Sequence, residues 1–187
     1  LQIDQNHPIL NYNIAHCYEA LEVFPEAIRS YENALKTKPA WPEAIRDFSN
    51  LLLTCNKTKE AQNLVQRSLR LYPNDASMLC VLGQIFLTQY DFDSAEKTFK
   101  KANSITPENV EILSGLAEAL EKGEKIQEAL DAIENAIAIE PENLDLQKQL
   151  AGTLLSASDF EEAFRKIDTL YKENEDDLQI LDLYGQY

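Results

Sequence analysis

The sequence predicts an all-α fold in which tandem helix-turn-helix repeats stack into a solenoid. Three observations predict it. Four prolines, Pro39, Pro73, Pro107 and Pro141, stand 34 residues apart. Five alanines, Ala27, Ala61, Ala95, Ala129 and Ala163, keep the same step. Columns of apolar and of small residues recur with it. Two unrelated residue types locked to one period mark an internal repeat, and 34 residues is the length of a two-helix unit that buries its apolar face only by stacking on its neighbours.

Five repeats fall in register over 8–41, 42–75, 76–109, 110–143 and 144–177. Each holds a first helix, a short turn, a second helix and a closing turn. In the first helices one apolar column reads Ile14, Phe48, Leu82, Leu116, Leu150. The next position is small: Ala15, Ser49, Gly83, Ala117, Ala151. A large column follows in Tyr18, Leu52, Phe86, Leu120, Leu154. Their spacing of i, i+1 and i+4 puts all three on one helical face.

The small positions have a packing reason, because two antiparallel helices approach closely only where one lacks bulk. The second helices supply the matching alanines and a further small column, Ala34, Ser68, Ala102 and Ala136, which breaks at Leu170. Between these runs a larger column, Tyr31, Val65, Phe99, Ile133, Ile167. Phe24, Phe92, Ile126 and Phe160 are expected to pack ahead of the alanines, with Thr58 as the exception. The periodic prolines end the second helices. Pro8 and Pro42 fall at first helical turns, where a missing N–H is harmless. The fifth repeat carries Glu175 in place of its proline, within an acidic turn from Glu173 to Asp177.

Residues 1–7 read as the close of a preceding repeat. Residues 178–187 read as the start of a sixth repeat or as a capping helix, with Tyr184 and Gly185 in the two column positions. Leu181, Tyr184 and Tyr187 are apolar for a finished cap. That leaves a piece of a longer array, the favoured reading, or a last helix that docks on something else.

Composition narrows the function. The chain of 187 residues is 44% hydrophobic and 26% charged, as in ordinary soluble proteins. No apolar run is long enough to cross a bilayer, so no membrane insertion is expected, and Leu1 to His7 lack the regions of a signal peptide. The net charge is −15, with 12 acidic and 11 basic side chains up to Ser104 and 20 acidic and 6 basic beyond it. Such a balance disfavours nucleic acid and anionic membranes. It reads first as a solvated surface, and it leaves room for a basic partner. Cys17, Cys55 and Cys80 form no CxxC pair and fall in predicted helices, which argues against a disulfide framework or zinc site and for a reducing, cytoplasmic-type compartment.

No catalytic, cofactor or metal residues are expected. His7 and His16 have no ligand partner at i+3 or i+4. His16 and Cys17 are adjacent on a helix and do not face each other. The glycines form no phosphate loop. Paired carboxylates such as Glu161–Glu162 read as exposed helix residues. Trp41, the single tryptophan, lies in a turn and is expected to pack between successive repeats.

At these columns residues 8–177 resemble the tetratricopeptide repeat (TPR) family. The family's leading tryptophan is replaced by Asn11, Ile45, Leu79, Leu113 and Gln147. The resemblance implies a right-handed superhelical solenoid whose concave face is lined mainly by first helices. Carried over by register, the groove candidates are Tyr12 and His16, then Arg46 and Asn50, Gln84 and Leu87, Glu111, Glu118 and Glu121, and Lys148. Leu53 and Leu155 occupy further positions of this face. Some members clamp a chaperone's C-terminal carboxylate. Arg46 and Asn50 resemble the opening pair, but Val81, Glu111 and Gly115 replace the other members, so no clamp is expected. A ladder of inward asparagines, as in the targeting arm of a sugar-transferring enzyme, also fails, since Asn13 is followed by Asp47, Val81, Gly115 and Gln149.

The leading functional expectation is therefore a scaffold or adaptor segment whose groove binds a basic or amphipathic peptide or helix of a protein partner. Two alternatives stand beside it: a structural subunit that stacks or self-associates through its repeat ends, and a targeting arm of an enzyme lying outside these residues.

Overall fold

The structure, a computed structural model, describes residues 7–174 and 176–186, with Gln186 described by its backbone alone. The described residues form helices and turns and no strand. The chain divides into two units, Leu1–Gln89 and Tyr90–Tyr187. The first holds α1 (Pro8–Ala20), α2 (Phe24–Thr37), α3 (Pro42–Thr54), α4 (Thr58–Leu71) and α5 (Ala76–Thr88). The second holds α6 (Phe92–Ile105), α7 (Val110–Lys122), α8 (Ile126–Ile139), α9 (Leu144–Ser156), α10 (Phe160–Glu173) and α11 (Leu178–Gln186). First helices from α1 to α9 run 13 residues and second helices 14.

Sequence explains where the helices start. Prolines open α1 and α3. Asp75, Asn109 and Asn143 cap α5, α7 and α9, accepting from the backbone N–H of Met78, Ile112 and Leu146. Asp91 and Asp159 do the same for α6 and α10. Each cap satisfies a donor that the helix itself leaves unpaired.

The turn from first to second helix has one solution throughout. Glu22, Asn56, Tyr90, Glu124 and Ser158, again spaced by 34, sit in the left-handed region at φ 57° to 62°. The following N–H then reaches back to close the helix end: Val23 to the Tyr18 carbonyl, Lys57 to Leu52 and Lys125 to Leu120, each at 2.8 Å. This is the Schellman arrangement usually served by glycine, but here none of the five is glycine.

Within the first unit α1 packs on α2, α2 on α3, α3 on α4 and α5, and α4 on α5. Its core joins Ala15, Ala27, Tyr31, Ala61, Val65, Met78 and Ile85, all fully buried, with Phe48 stacked on Tyr31 at 5.4 Å. Ser49 is also fully buried and donates to the Ile45 carbonyl, so this small-column member is satisfied.

In the second unit α6 to α11 pack each on the next, with α7 also meeting α9 and α9 meeting α11. Ala95, Phe99, Ala102, Ala117, Ala129, Ile133, Ala136, Ala151, Ala163 and Ile167 are fully buried. Leu170, where the small column breaks, joins Ala151, Ile167 and the fully buried Ile180 of α11 in one cluster. Tyr184 packs on Phe164 and Tyr171, whereas Leu178 and Leu181 are exposed.

Some expectations shift. Phe160 is 51% exposed, because it begins α10 ahead of the buried face. Cys17 is exposed and Cys55 lies just past the end of α3, so of the three cysteines only Cys80 is the buried apolar residue expected. The readings of Leu1 to Asn6, Glu175 and Tyr187 fall outside the described residues.

Gly115 has a definite packing role. A Cβ built there would lie 2.5 and 2.6 Å from two ring atoms of buried Phe99. Gly115→Ala therefore destabilises by about 1–3 kcal/mol, although alanine is the better helix former. Gly185→Ala, with nothing within 4 Å, is the control that does not lower the melting midpoint. The strained turn makes the opposite prediction. Glu124→Gly relieves a left-handed non-glycine residue and stabilises, by up to ~1 kcal/mol, as read by the shift in the melting midpoint.

Candidate functional site

The first unit gathers three of the expected residues around a carboxylate. The Tyr12 hydroxyl donates to Asp47 Oδ2, and Arg46 Nε donates to Asp47 Oδ1 at 2.9 Å. His16 Nε2 stands 3.4 Å from Asp47, and its Nδ1 stands 3.7 Å from Glu19. Buried Tyr31 donates to Glu19 at 2.9 Å. Asp47 has a side chain only 15% exposed, yet it meets three partners from α1 and α3.

Aromatic rings complete this surface. Tyr12 lies edge-on to His16, with centroids 4.5 Å apart, and tilts against Trp41 at 4.7 Å. Lys38 Nζ sits 4.1 Å above the Trp41 ring. Trp41 is the residue immediately before α3. It packs against α1, as expected of a residue between successive repeats, and at the same time borders the candidate site.

Burial first, and then the hydrogen bond to Asp47, push the Tyr12 hydroxyl pKa up to about 12. Burial and Glu19 push Tyr31 up further. Both phenols therefore stay neutral donors at ordinary pH. Of the remaining candidates in this unit, Asn50 is exposed, while Gln84 and Leu87 on α5 are half-buried.

Sequence reasoning missed Asp47 as the hub. The available signal was its register: it lies 34 residues after Asn13 and next to Arg46, on the face that meets the preceding first helix.

In the second unit Glu111 and Glu118 are exposed on α7. Glu121 and Lys148 are committed to packing between helices. Glu121 accepts from Thr153 at 2.9 Å and Ser156 at 2.8 Å, tying α7 to α9. Lys148, 12% exposed, binds Asp145 and Asp177 at 3.1 Å and Gln179 at 2.8 Å, tying α9 to the start of α11. Burial works against the charge of Lys148, but Asp177 and Asp145 outweigh it and hold its pKa above the ordinary value. Lys148 in turn holds Asp177 below the ordinary carboxylate range. Ser114 and Gln149 add a reciprocal pair across α7 and α9.

The second helices are linked by charge as well. Glu96 of α6 accepts from Lys100 at 2.8 Å and from Lys125 at 2.7 Å, while Lys100 also reaches Glu128 of α8 at 3.0 Å. These two lysines hold Glu96 below the usual carboxylate range.

Among the described residues, no three His, Cys, Asp or Glu side chains converge as a metal site. No described helix is long and apolar enough to cross a membrane.

Comparison with known proteins matches a family model of tetratricopeptide repeats over residues 46–110 and 114–177, and a model of YpiA-like C-terminal tetratricopeptide repeats over 8–75. The chain belongs to the tetratricopeptide repeat family. Solved TPR structures share its fold. A thermophilic TPR protein of Thermus thermophilus is 17% identical with a TM-score of 0.81, over 96% of this chain and 98% of that one. A TPR protein of Parabacteroides merdae is 18% identical with a TM-score of 0.84, over 98% and 72%. YrrB, described as a TPR protein with an unusual peptide-binding site, is 17% identical with a TM-score of 0.69, over 97% and 94%. No curated protein matches the sequence significantly. The TPR assignment makes this an all-α helical repeat solenoid with a general role in protein–protein interaction, in a family of generally non-catalytic scaffolds.

The Glu96 link sets an acid dependence. A carboxyl group whose folded pKa is lowered stabilises above its ordinary value and loses that contribution as pH falls through the lowered one. Glu96→Gln is therefore less stable than the parent near neutral pH, and the gap closes as pH falls below the ordinary carboxylate range. Melting midpoints across that range test it, and a gap that stays constant with pH contradicts it.

Proposed function

We propose that this TPR segment is a scaffold or adaptor whose first helices hold a basic or amphipathic peptide or helix of a partner protein. One observation carries the reading: Tyr12, His16 and Trp41 form an aromatic surface beside Asp47 and Glu19, fixed by hydrogen bonds before any ligand arrives. Rings beside carboxylates suit the stem and head of a lysine or arginine. Preorganised side chains lose little entropy on binding. The first helices of the unit otherwise carry three acidic residues, Glu19, Glu43 and Asp47, against Arg46.

In the second unit Glu111 and Glu118 favour the same kind of ligand. Exposed charge of this sort acts mainly on association rate and orientation. The resemblance in fold to YrrB, with its described peptide-binding site, supports peptide recognition as the mode. This reading gives the segment no chemistry of its own and no nucleic-acid ligand. Three scattered cysteines with no CxxC pair fit a reducing compartment. A second reading, self-association through a repeat end, is favoured by the exposure of Leu178 at 80% and Leu181 at 42% on α11.

Binding of a fluorescent, lysine-rich amphipathic peptide tests the proposal. Tyr12→Ala weakens it about tenfold, the loss of an aromatic anchor worth ~1.4 kcal/mol. Glu111→Lys with Glu118→Lys slows association. A peptide that binds equally well to parent and all variants refutes the groove assignment.

A further inference from the structure

The first unit has a second concavity, on the opposite kind of helix. An open cleft of about 900 Å³ lies between the second helices α2 and α4. Ile45 and Phe48 of α3 form its floor, with Leu35 and Leu64 on the walls. Leu71, 64% exposed, extends the apolar surface to the rim.

Its charge is opposite to that of the first helices. Lys36, Arg67 and Arg70 edge the cleft against Glu32 alone. Arg67 and Arg70 make no ion pair or hydrogen bond among the described residues. Across α2, α4 and their capping residues, 24–38 and 57–71, seven basic side chains face three acidic ones. Such a surplus is distinctive in a chain of net charge −15.

A buried polar residue borders the same place. Ser68 lines the cleft at 3% exposure, and its Oγ has no hydrogen-bond partner. The equivalent positions in the other repeats are Ala34, Ala102, Ala136 and Leu170, so packing here does not ask for a hydroxyl. A buried, unpaired hydroxyl is unfavourable for the free protein. It becomes useful when a ligand supplies the partner.

We infer that the α2–α4 cleft is a second docking site, which takes an acidic amphipathic helix of a partner protein. The apolar side chains of that helix meet Leu35, Leu64 and Leu71, above the buried Ile45 and Phe48. Its carboxylates meet Arg67, Arg70 and Lys36, and one polar group reaches Ser68 Oγ. Apolar contacts at helical spacing against a groove, with charges at the rim, are a general mode of helix recognition.

The probe is a fluorescein-labelled helical peptide with leucines on one face and glutamates on the other, paired with a version carrying glutamine for every glutamate. Anisotropy should show the glutamate peptide binding at least tenfold more tightly than the glutamine peptide, and weakening with salt. Arg67→Glu with Arg70→Glu should lose at least tenfold for the glutamate peptide, with unchanged helix content by circular dichroism. Ser68→Ala should melt no lower than the parent while binding the same peptide severalfold more weakly. Tyr12→Ala should leave this binding intact, which separates the site from the first-helix surface. Equal binding of the two peptides, no binding of either, or insensitivity to the arginine reversal overturns the proposal. Sedimentation that shows self-association, abolished by the same reversal while the peptide fails to bind, overturns it in favour of a second copy of this chain.

Discussion

The close crossing of paired helices is the constraint on which everything else in this protein depends. Ala15 and Ala27, or Ala151 and Ala163, are fully buried because no larger side chain leaves room for two backbones to approach. Once the helices are that close, the larger residues beside the crossing have fixed neighbours. Tyr31, Phe99 and Ile167 fill the same position in three repeats with three different shapes. The variation is absorbed locally: Phe99 is accommodated by the missing Cβ of Gly115, and Tyr31 by stacking on Phe48. A repeat array tolerates such exchanges because each unit answers only to its neighbours.

That constraint also explains what the sequence disclosed. Helix starts, buried columns and family were legible because packing at each crossing repeats with the period, and a period is visible without knowing any contact. The left-handed turn residues were visible as positions but not as chemistry. Glu124 and Ser158 are not residues that announce positive φ, and it is the Schellman bonds at the ends of the first helices that hold them there. Tertiary context overrides local preference in these turns.

The candidate site was only half legible, for a related reason. Register assigns a residue to a face but not to a partner on the next helix. It therefore brought Tyr12, His16 and Arg46 to one surface but missed that Asp47 binds all three. It likewise gave Glu121 and Lys148 as ligand contacts. Both lie on the expected helices, yet each is occupied by side chains one repeat further on, Thr153 and Ser156 in one case and Asp177 and Gln179 in the other. Stacked first helices bring like positions side by side, so polar residues on that face pair with each other before any partner arrives. Exposed candidates such as Glu118 and Asn50 remain the ones with surface to offer.

Charge separates by helix type within the first unit as it does by unit along the chain. The first unit has 9 acidic and 8 basic residues, the second 23 and 9. A near-neutral total in the first unit conceals two surfaces of opposite sign, acidic on α1 and α3 and basic on α2 and α4. A random scatter of the same residues would neutralise locally through i, i+4 pairs, as Arg165 does with Glu161 in α10. Arg67 and Arg70 have no such partner, and half-buried Leu35 and Leu64 and exposed Leu71 line the cleft beside them. Uncompensated cations beside an apolar cleft gain little for folding, since isolated surface charges contribute almost nothing to stability. Their concentration on one pair of helices is better accounted for by what they can attract than by what they hold together.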